Sequence, residues 1–281
     1  MKNKILLTVD YHSATINAFK YAQHIAKEMK SELILLHAFH VPLPALDTGV
    51  PIHNMKEVQK FENKRIERFA EINTLDSDSK IKIKFLAIEG LAGDVIPDWI
   101  KKNRPDLVIM GIHETNALDE FLMGSTCERI IDDNLCPVLI IPIKSNYKRI
   151  NKISFASDFQ EIDITQIGKT LRKICNMFKC KLELIHAVEA NEIKFKDINE
   201  NIQKLTEELL PVKARLSEPE TQKIANAIEK EILKNRSQWL VLVHKKYGFL
   251  KELFHKSVIK KLISESDIPV MVLNNKTEKS R

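Results

Sequence analysis

Two common ways of holding a phosphate are missing from this chain. It has no GxxxxGK[ST] and no GxGxxG, so neither P-loop hydrolase chemistry nor a dinucleotide fingerprint is supported. It has no GxSxG, hence no nucleophile elbow. Aromatic residues make up only 6% of the sequence, and no aromatic series accompanies its basic residues, which disfavours a nucleic-acid partner. The four cysteines, Cys127, Cys136, Cys175 and Cys180, form no CxxC and no metal-type spacing with histidine. No long apolar segment follows Met1-Lys2-Asn3-Lys4, and no run approaches the length of a membrane span. The expectation is a cytoplasmic protein with reduced thiols and no membrane partner.

What the chain does have is apolar periodicity and interleaved charge. Hydrophobic residues are 44% and charged residues 29%, enough for real cores under a solvated surface. The 44 Lys and Arg against 38 Asp and Glu leave a modest net charge of +6, spread along the chain. The length of 281 residues suits one large domain or two ordinary ones.

Strand-like and helical patterns alternate. Ile5 to Val9 is a short apolar run ending at Asp10; Ser13 to Lys30 has helical period, with Ser13 as N-cap. Leu33 to Ala38 is a second strand, and Phe39 to His53, with three prolines, is a loop. Met55 to Ile72 is a charged amphipathic helix, and Ile81 to Ile88 is a strand with one wet, lysine-bearing face. Asp94 caps a helix over Val95 to Lys102. Leu107 to Met110 and Pro137 to Ile143 complete the strands of this half. Such alternation argues for an α/β fold with a mainly parallel sheet covered on both faces.

After a basic linker, Lys144 to Arg149, the pattern begins again. Ile153 to Ala156 leads to Asp158 as Ile5 to Val9 leads to Asp10. LELIHA, ending at Ala187, repeats ELILLHA, with His186 in the place of His37. Trp239 to Val243 repeats Leu107 to Gly111, and Ile268 to Val272 repeats Cys136 to Ile140. The chain is an internal duplication with a shorter second copy. Its expected domains are 1–146 and 147–281.

The stretch Asp106 to Thr126, DLVIMGIHETNALDEFLMGST, concentrates the chemistry. A strand breaks at Gly111; a polar loop arrives at Gly124-Ser125-Thr126; a helical pattern follows. Free backbone amides at a helix start, with the helix dipole, favour an anion, and glycine lets the chain approach it closely. Gly111, two residues, Glu114, nine residues, then Gly124-Ser125 resembles the G-x2-G-x9-G-[S/T] signature of the universal stress protein family, with Glu114 where the pattern has its second glycine.

The resemblance covers both halves. It implies two tandem five-stranded mainly parallel sheets with helices on both faces. It also implies that the copies pair within the chain as single-domain members pair in dimers, with the closing strands near Val138 and Val270 at the interface. A further homodimer stays open. The resemblance implies a stress-response role and an adenine nucleotide, ATP or a relative, in the first half. Thr8 and Asp10 would meet the adenine, Ala38 would lie along the base, and Met110 and Gly111 would sit under the ribose. Gly124, Ser125 and Thr126 would hold the phosphates.

Glu114 opposes this, since like charges at about 4 Å cost roughly 1 kcal/mol in water and about 4 at an effective dielectric of 20. Its side chain either swings outward or is bridged to the phosphates by a divalent cation such as Mg²⁺. The second half departs further: Val243 stands for Gly111, Lys245 for His113, Lys246 for Glu114 and Lys256 for Gly124. That site is expected to be degenerate, and the lysines from Lys245 to Lys261 read as a solvated helix face. His12, His40 and His113 follow strand ends without metal-type spacing, and His37 and His186 read as satisfied core histidines. No paired base accompanies Ser125, so no catalytic set emerges. Two other readings stay open: a ligand-free interaction protein, and a weak metal-assisted nucleotide hydrolase.

Overall fold

Runs of Ile, Leu and Val form strands buried on both faces, because each presents alternate side chains to opposite sides of one sheet. The computed structural model describes residues 3–40, 55–75, 81–112, 124–133, 135–189, 196–245, 258, 261–263 and 266–275. The first half runs β1 (Lys4–Thr8), α1 (Ser13–Met29), β2 (Glu32–Phe39), α2 (Met55–Asn73), β3 (Ile83–Glu89), α3 (Ala92–Asn103), β4 (Leu107–Ile112), α4 (Ser125–Asp132) and β5 (Val138–Pro142). The second runs β6 (Lys152–Ala156), α5 (Ile164–Phe178), β7 (Lys181–Ile185), β8 (Val188–Glu189), α6 (Lys196–Leu209), β9 (Ala214–Ser217), β10 (Glu220–Thr221), α7 (Ile224–Asn235), β11 (Trp239–His244) and β12 (Val270–Asn274).

The main sheet has the order β3-β2-β1-β4-β5-β12-β11-β6-β7-β9. Read from either edge, it is one five-strand order met twice. Every neighbouring pair is parallel except β5 with β12, which run antiparallel with Val138 opposite Val272 and Ile140 opposite Val270. The closing strands of the two halves therefore meet, as the family resemblance implies, and the two five-stranded sheets continue into one another. A separate two-residue ladder joins β8 to β10.

Side-chain alternation divides the core in two. Ile5 and Leu7 point to the face covered by α1, α2, α5 and α6; Leu6 points to the face covered by α3, α4 and α7. Both apolar layers cross the seam without a break. At the edge, Lys84 of β3 and Lys82 just before it form the expected wet face, reaching back to Glu32 at 3.2 and 2.9 Å. Charge on an edge strand discourages pairing with another chain.

The seam is also tied by specific bonds. Trp239 Nε1 donates to Tyr21 Oη at 2.8 Å, joining β11 to α1 in the interior. Asn17 donates to the carbonyls of Pro142 and Ser145, fastening the linker to α1. Tyr147 stacks on His24 and donates to Glu28 at 2.6 Å.

Two capping expectations need correction. Ser13 is the first helical residue of α1, and His12 holds the cap position without a side-chain cap. Just upstream, Tyr11 adopts φ 65° and Asp10 accepts the His12 amide at 3.0 Å. Asp94 likewise lies inside the first turn of α3, where it binds Arg129 of α4 at 2.6 Å. All four cysteines are free and buried. Among the described residues, no helix is long and apolar enough to cross a membrane.

Candidate functional site

The order β2-β1-β4 makes the carboxyl ends of β1 and β4 a switch point, where chain connections leave in opposite directions and open a crevice. Thr8 ends β1, and Met110 and Gly111 lie near the end of β4. Ala38 lies two residues beyond Leu36, the register partner of Thr8. Thr8 and Met110 are buried, and Ala38 and Gly111 are partly so.

Asp10 stands at the mouth with its side chain 56% exposed. Its Oδ1 accepts the His12 amide at 3.0 Å and the Thr15 hydroxyl, while Oδ2 faces His12 Nδ1 at 3.3 Å. Burial pushes this carboxyl up, but the bonds from Thr15 and the His12 amide, with the imidazole, together hold it below the usual carboxylate range. It is thus an oriented anion with acceptor capacity left on Oδ2. Any stability it contributes is present above its unfolded-state pKa and is lost as pH falls through the lower folded value.

Gly111 answers first to packing. A Cβ there would lie 2.4 Å from the Ala14 carbonyl oxygen and 2.6 Å from its carbon. The first turn of α1 crosses β4 at this point, and backbone cannot step aside as a side-chain tip can. Gly111→Ala should therefore destabilise the protein by about 1–3 kcal/mol. Urea unfolding checks this, and a change below about 0.5 kcal/mol would mean that α1 shifts freely.

Gly124 answers to conformation. It caps α4 at φ 80°, a region L-residues rarely adopt, yet a Cβ there would meet nothing within 4 Å among the described residues. Having no side chain, it supplies no cap bond. The first-turn amides of an α-helix lack partners within the helix. Those of Ser125 and Thr126 therefore have no acceptor within α4, and the glycine before them is exposed. Glu128 N–H returns to the Gly124 carbonyl at 3.1 Å, beginning the helix proper. An anion is the natural complement to such an end.

The second half has the same switch point between β6 and β11, but its own side chains fill it. Asp158 repeats the Asp10 turn, accepting the Gln160 amide at 3.1 Å. Lys245, just past β11, places Nζ 2.6 Å from both oxygens of Asp158. The two side chains are only 15% and 12% exposed. The carboxylate left half-open in the first half is sealed here by an ammonium. Val243 is buried where Gly111 stands in the first half.

The expectation of a solvated lysine face thus needs correction at Lys245. Lys261 binds Asn226 at 3.2 Å, while Lys246, Lys251, His255, Lys256, Ser257 and Lys260 lie outside the described residues. So do Glu114 and His113. Of the other histidines, His37 bonds the Val9 carbonyl at 2.7 Å and buried His186 faces Glu218 at 3.4 Å, both as held core groups. Sequence reasoning missed Thr15, which anchors Asp10, although a hydroxyl five residues after an aspartate was there to be read. It also missed the Asp158–Lys245 pair, although opposite charges at two aligned strand ends were the signal.

Comparison with known proteins follows the same lines. A model of the universal stress protein family matches residues 1–142. The chain is 28% identical over 139 residues to Universal stress protein MJ0531 of Methanocaldococcus jannaschii, covering 49% of this chain and 81% of that protein. It is also 28% identical over 160 residues to Universal stress protein MJ0577 of the same organism, covering 52% and 98%. Over 98% of its length it superimposes on 97% of a universal stress protein from Archaeoglobus fulgidus, with TM-score 0.69 at 14% identity, a likeness of fold.

Proposed function

The chain belongs to the universal stress protein family, and from that premise we propose that its first half binds one adenine nucleotide, ATP or a relative, while its second half serves as a fixed structural partner. The reading divides the chain into domains 1–146 and 147–281. One observation carries it: among the described residues no side chain caps the amino end of α4, whose cap position is an exposed Gly124 following β4 of the switch point. Ser125 and Thr126 offer amides and hydroxyls to phosphates there. Asp10, held ionised at the mouth, accepts from the adenine amino group. Thr8 and Ala38 line the base, and Met110 and Gly111 the sugar. A bound Mg²⁺ would add charge compensation at the phosphates. The sealed Asp158–Lys245 pair supports a single site per chain.

On this reading the protein is a stress-response module whose nucleotide occupancy alters contacts with partners. Calorimetric titration of the full chain with ATP tests the binding. One site per chain is expected, and Gly124→Glu should weaken it at least about fivefold, since a carboxylate near a phosphate costs roughly 1–4 kcal/mol. Glu114→Gly, which restores the family's second glycine, should tighten it. No heat and no melting shift at saturating ATP would overturn the reading, as would two equivalent sites per chain.

A further inference from the structure

The seam between the halves leaves a space that neither core fills. Between α1 and α5, where β4, β5, β11 and β12 come together, lies a cleft of about 310 Å³. That is the lower end of the range in which small-molecule sites fall, and such sites favour domain junctions. Its floor is apolar: Leu107, Phe178, Trp239, Met271 and Leu273 are all less than one-tenth exposed. Met29 and Met177 flank it with side chains that adapt to a guest's shape.

The wall contributed by α5 is graded. Gln166, Thr170, Lys173, Ile174 and Met177 follow at helical spacing on one face, polar first and apolar last. Opposite Lys173 stands Asp106 at 3.9 Å, too far for a hydrogen bond. Asp106 already accepts the Lys4 amide at 2.8 Å. The Lys173 ammonium is ion-paired with Asp106 but makes no hydrogen bond among the described residues, so its donors remain unused at the rim above an apolar floor.

This place is distinct from the α4 site. The cleft is entered beside Pro105 and Asp106 and beside Cys136 and Pro137, at the amino ends of β4 and β5. Gly111 lies toward the other end of β4, and six strand residues span roughly 20 Å.

We propose that the cleft is a second small-molecule site, taking a compact aromatic monocarboxylate whose ring lies against Met29, Ile174 and Met177, over the closed floor, and whose carboxylate meets Lys173. The full chain titrated with 1-naphthoate, 1-naphthalenemethanol and 1-naphthylmethylamine tests this, read by calorimetry and by quenching of tryptophan fluorescence. One naphthoate per chain is expected, bound more tightly than the alcohol and far more tightly than the amine. Lys173→Met should weaken naphthoate about fivefold, the upper worth of an exposed ion pair, and erase its advantage over the alcohol. Lys173 is exposed, so this variant keeps the fold. Met177→Trp, with native circular dichroism as its control, should abolish binding of all three by filling the cleft. No naphthoate binding at millimolar concentration overturns the proposal. So does a naphthoate preference that survives Lys173→Met, or binding that survives Met177→Trp.

Discussion

Trp239→Ala is expected to remove about 3–5 kcal/mol of stability, a large part of what a domain of ordinary stability possesses. Trp239 opens β11, is fully buried, and packs edge-on against Phe178 with ring centroids 5.0 Å apart. Truncation removes that whole surface and leaves a cavity beside the seam cleft, where the surrounding helices can collapse only in part. It also strips the Tyr21 hydroxyl of its donor at a site where Tyr21 is only 2% exposed. Orphaning a buried polar group costs about 1–3 kcal/mol by itself. Trp239→Phe separates the two effects, since it keeps a ring and loses the bond; it should cost clearly less. Adding Tyr21→Phe to Trp239→Phe should recover part of that loss, because both bond partners are then gone. Urea midpoints followed by circular dichroism supply the measurement. A loss below about 1 kcal/mol for the alanine variant would mean that this contact does not hold the halves together.

Lys245→Met comes next, with an expected cost of about 3–5 kcal/mol. The native pair gains Coulomb energy and two short bonds but has surrendered most of its hydration. Its net worth is therefore modest, and the penalty comes from breaking it. With Lys245 gone, the Asp158 carboxylate stays enclosed with only the Gln160 amide and no countercharge among the described residues. The double variant Asp158→Asn, Lys245→Met removes both charges and should regain most of the loss. A double variant as unstable as the single one would refute the account, and so would a neutral single variant. Neither variant should acquire a second nucleotide, because the second half has Lys256 where the first half has Gly124.

These two residues also mark where sequence reading stops. The duplication was legible because strands buried on both faces must be near-continuous Ile, Leu and Val, so ELILLHA and LELIHA stand out wherever they recur. The meeting of β5 and β12 followed from family resemblance, and no periodicity announces it. Strand β9 (Ala214–Ser217) escaped because it is an edge strand of four residues, Ala-Arg-Leu-Ser, with no strongly buried position. Ser13 looked like a cap because local rules ask only for a hydroxyl before a helix. The helix begins one residue earlier, so His12 takes the cap position, after a left-handed turn at Tyr11. Lys245 sat in a run of lysines, and composition alone makes such a run look solvated. Its partner lies 87 positions earlier in the chain, and only the β6–β11 pairing brings them together.

The antiparallel junction of β5 with β12 has a consequence for how such a protein diverges. Two separate identical chains meeting across that axis would receive every substitution twice, so a lysine that closes one pocket would close its twin. Joining the copies in one polypeptide breaks that obligation. One copy is free to harden into scaffold while the other stays open, and their association no longer depends on how dilute the protein is.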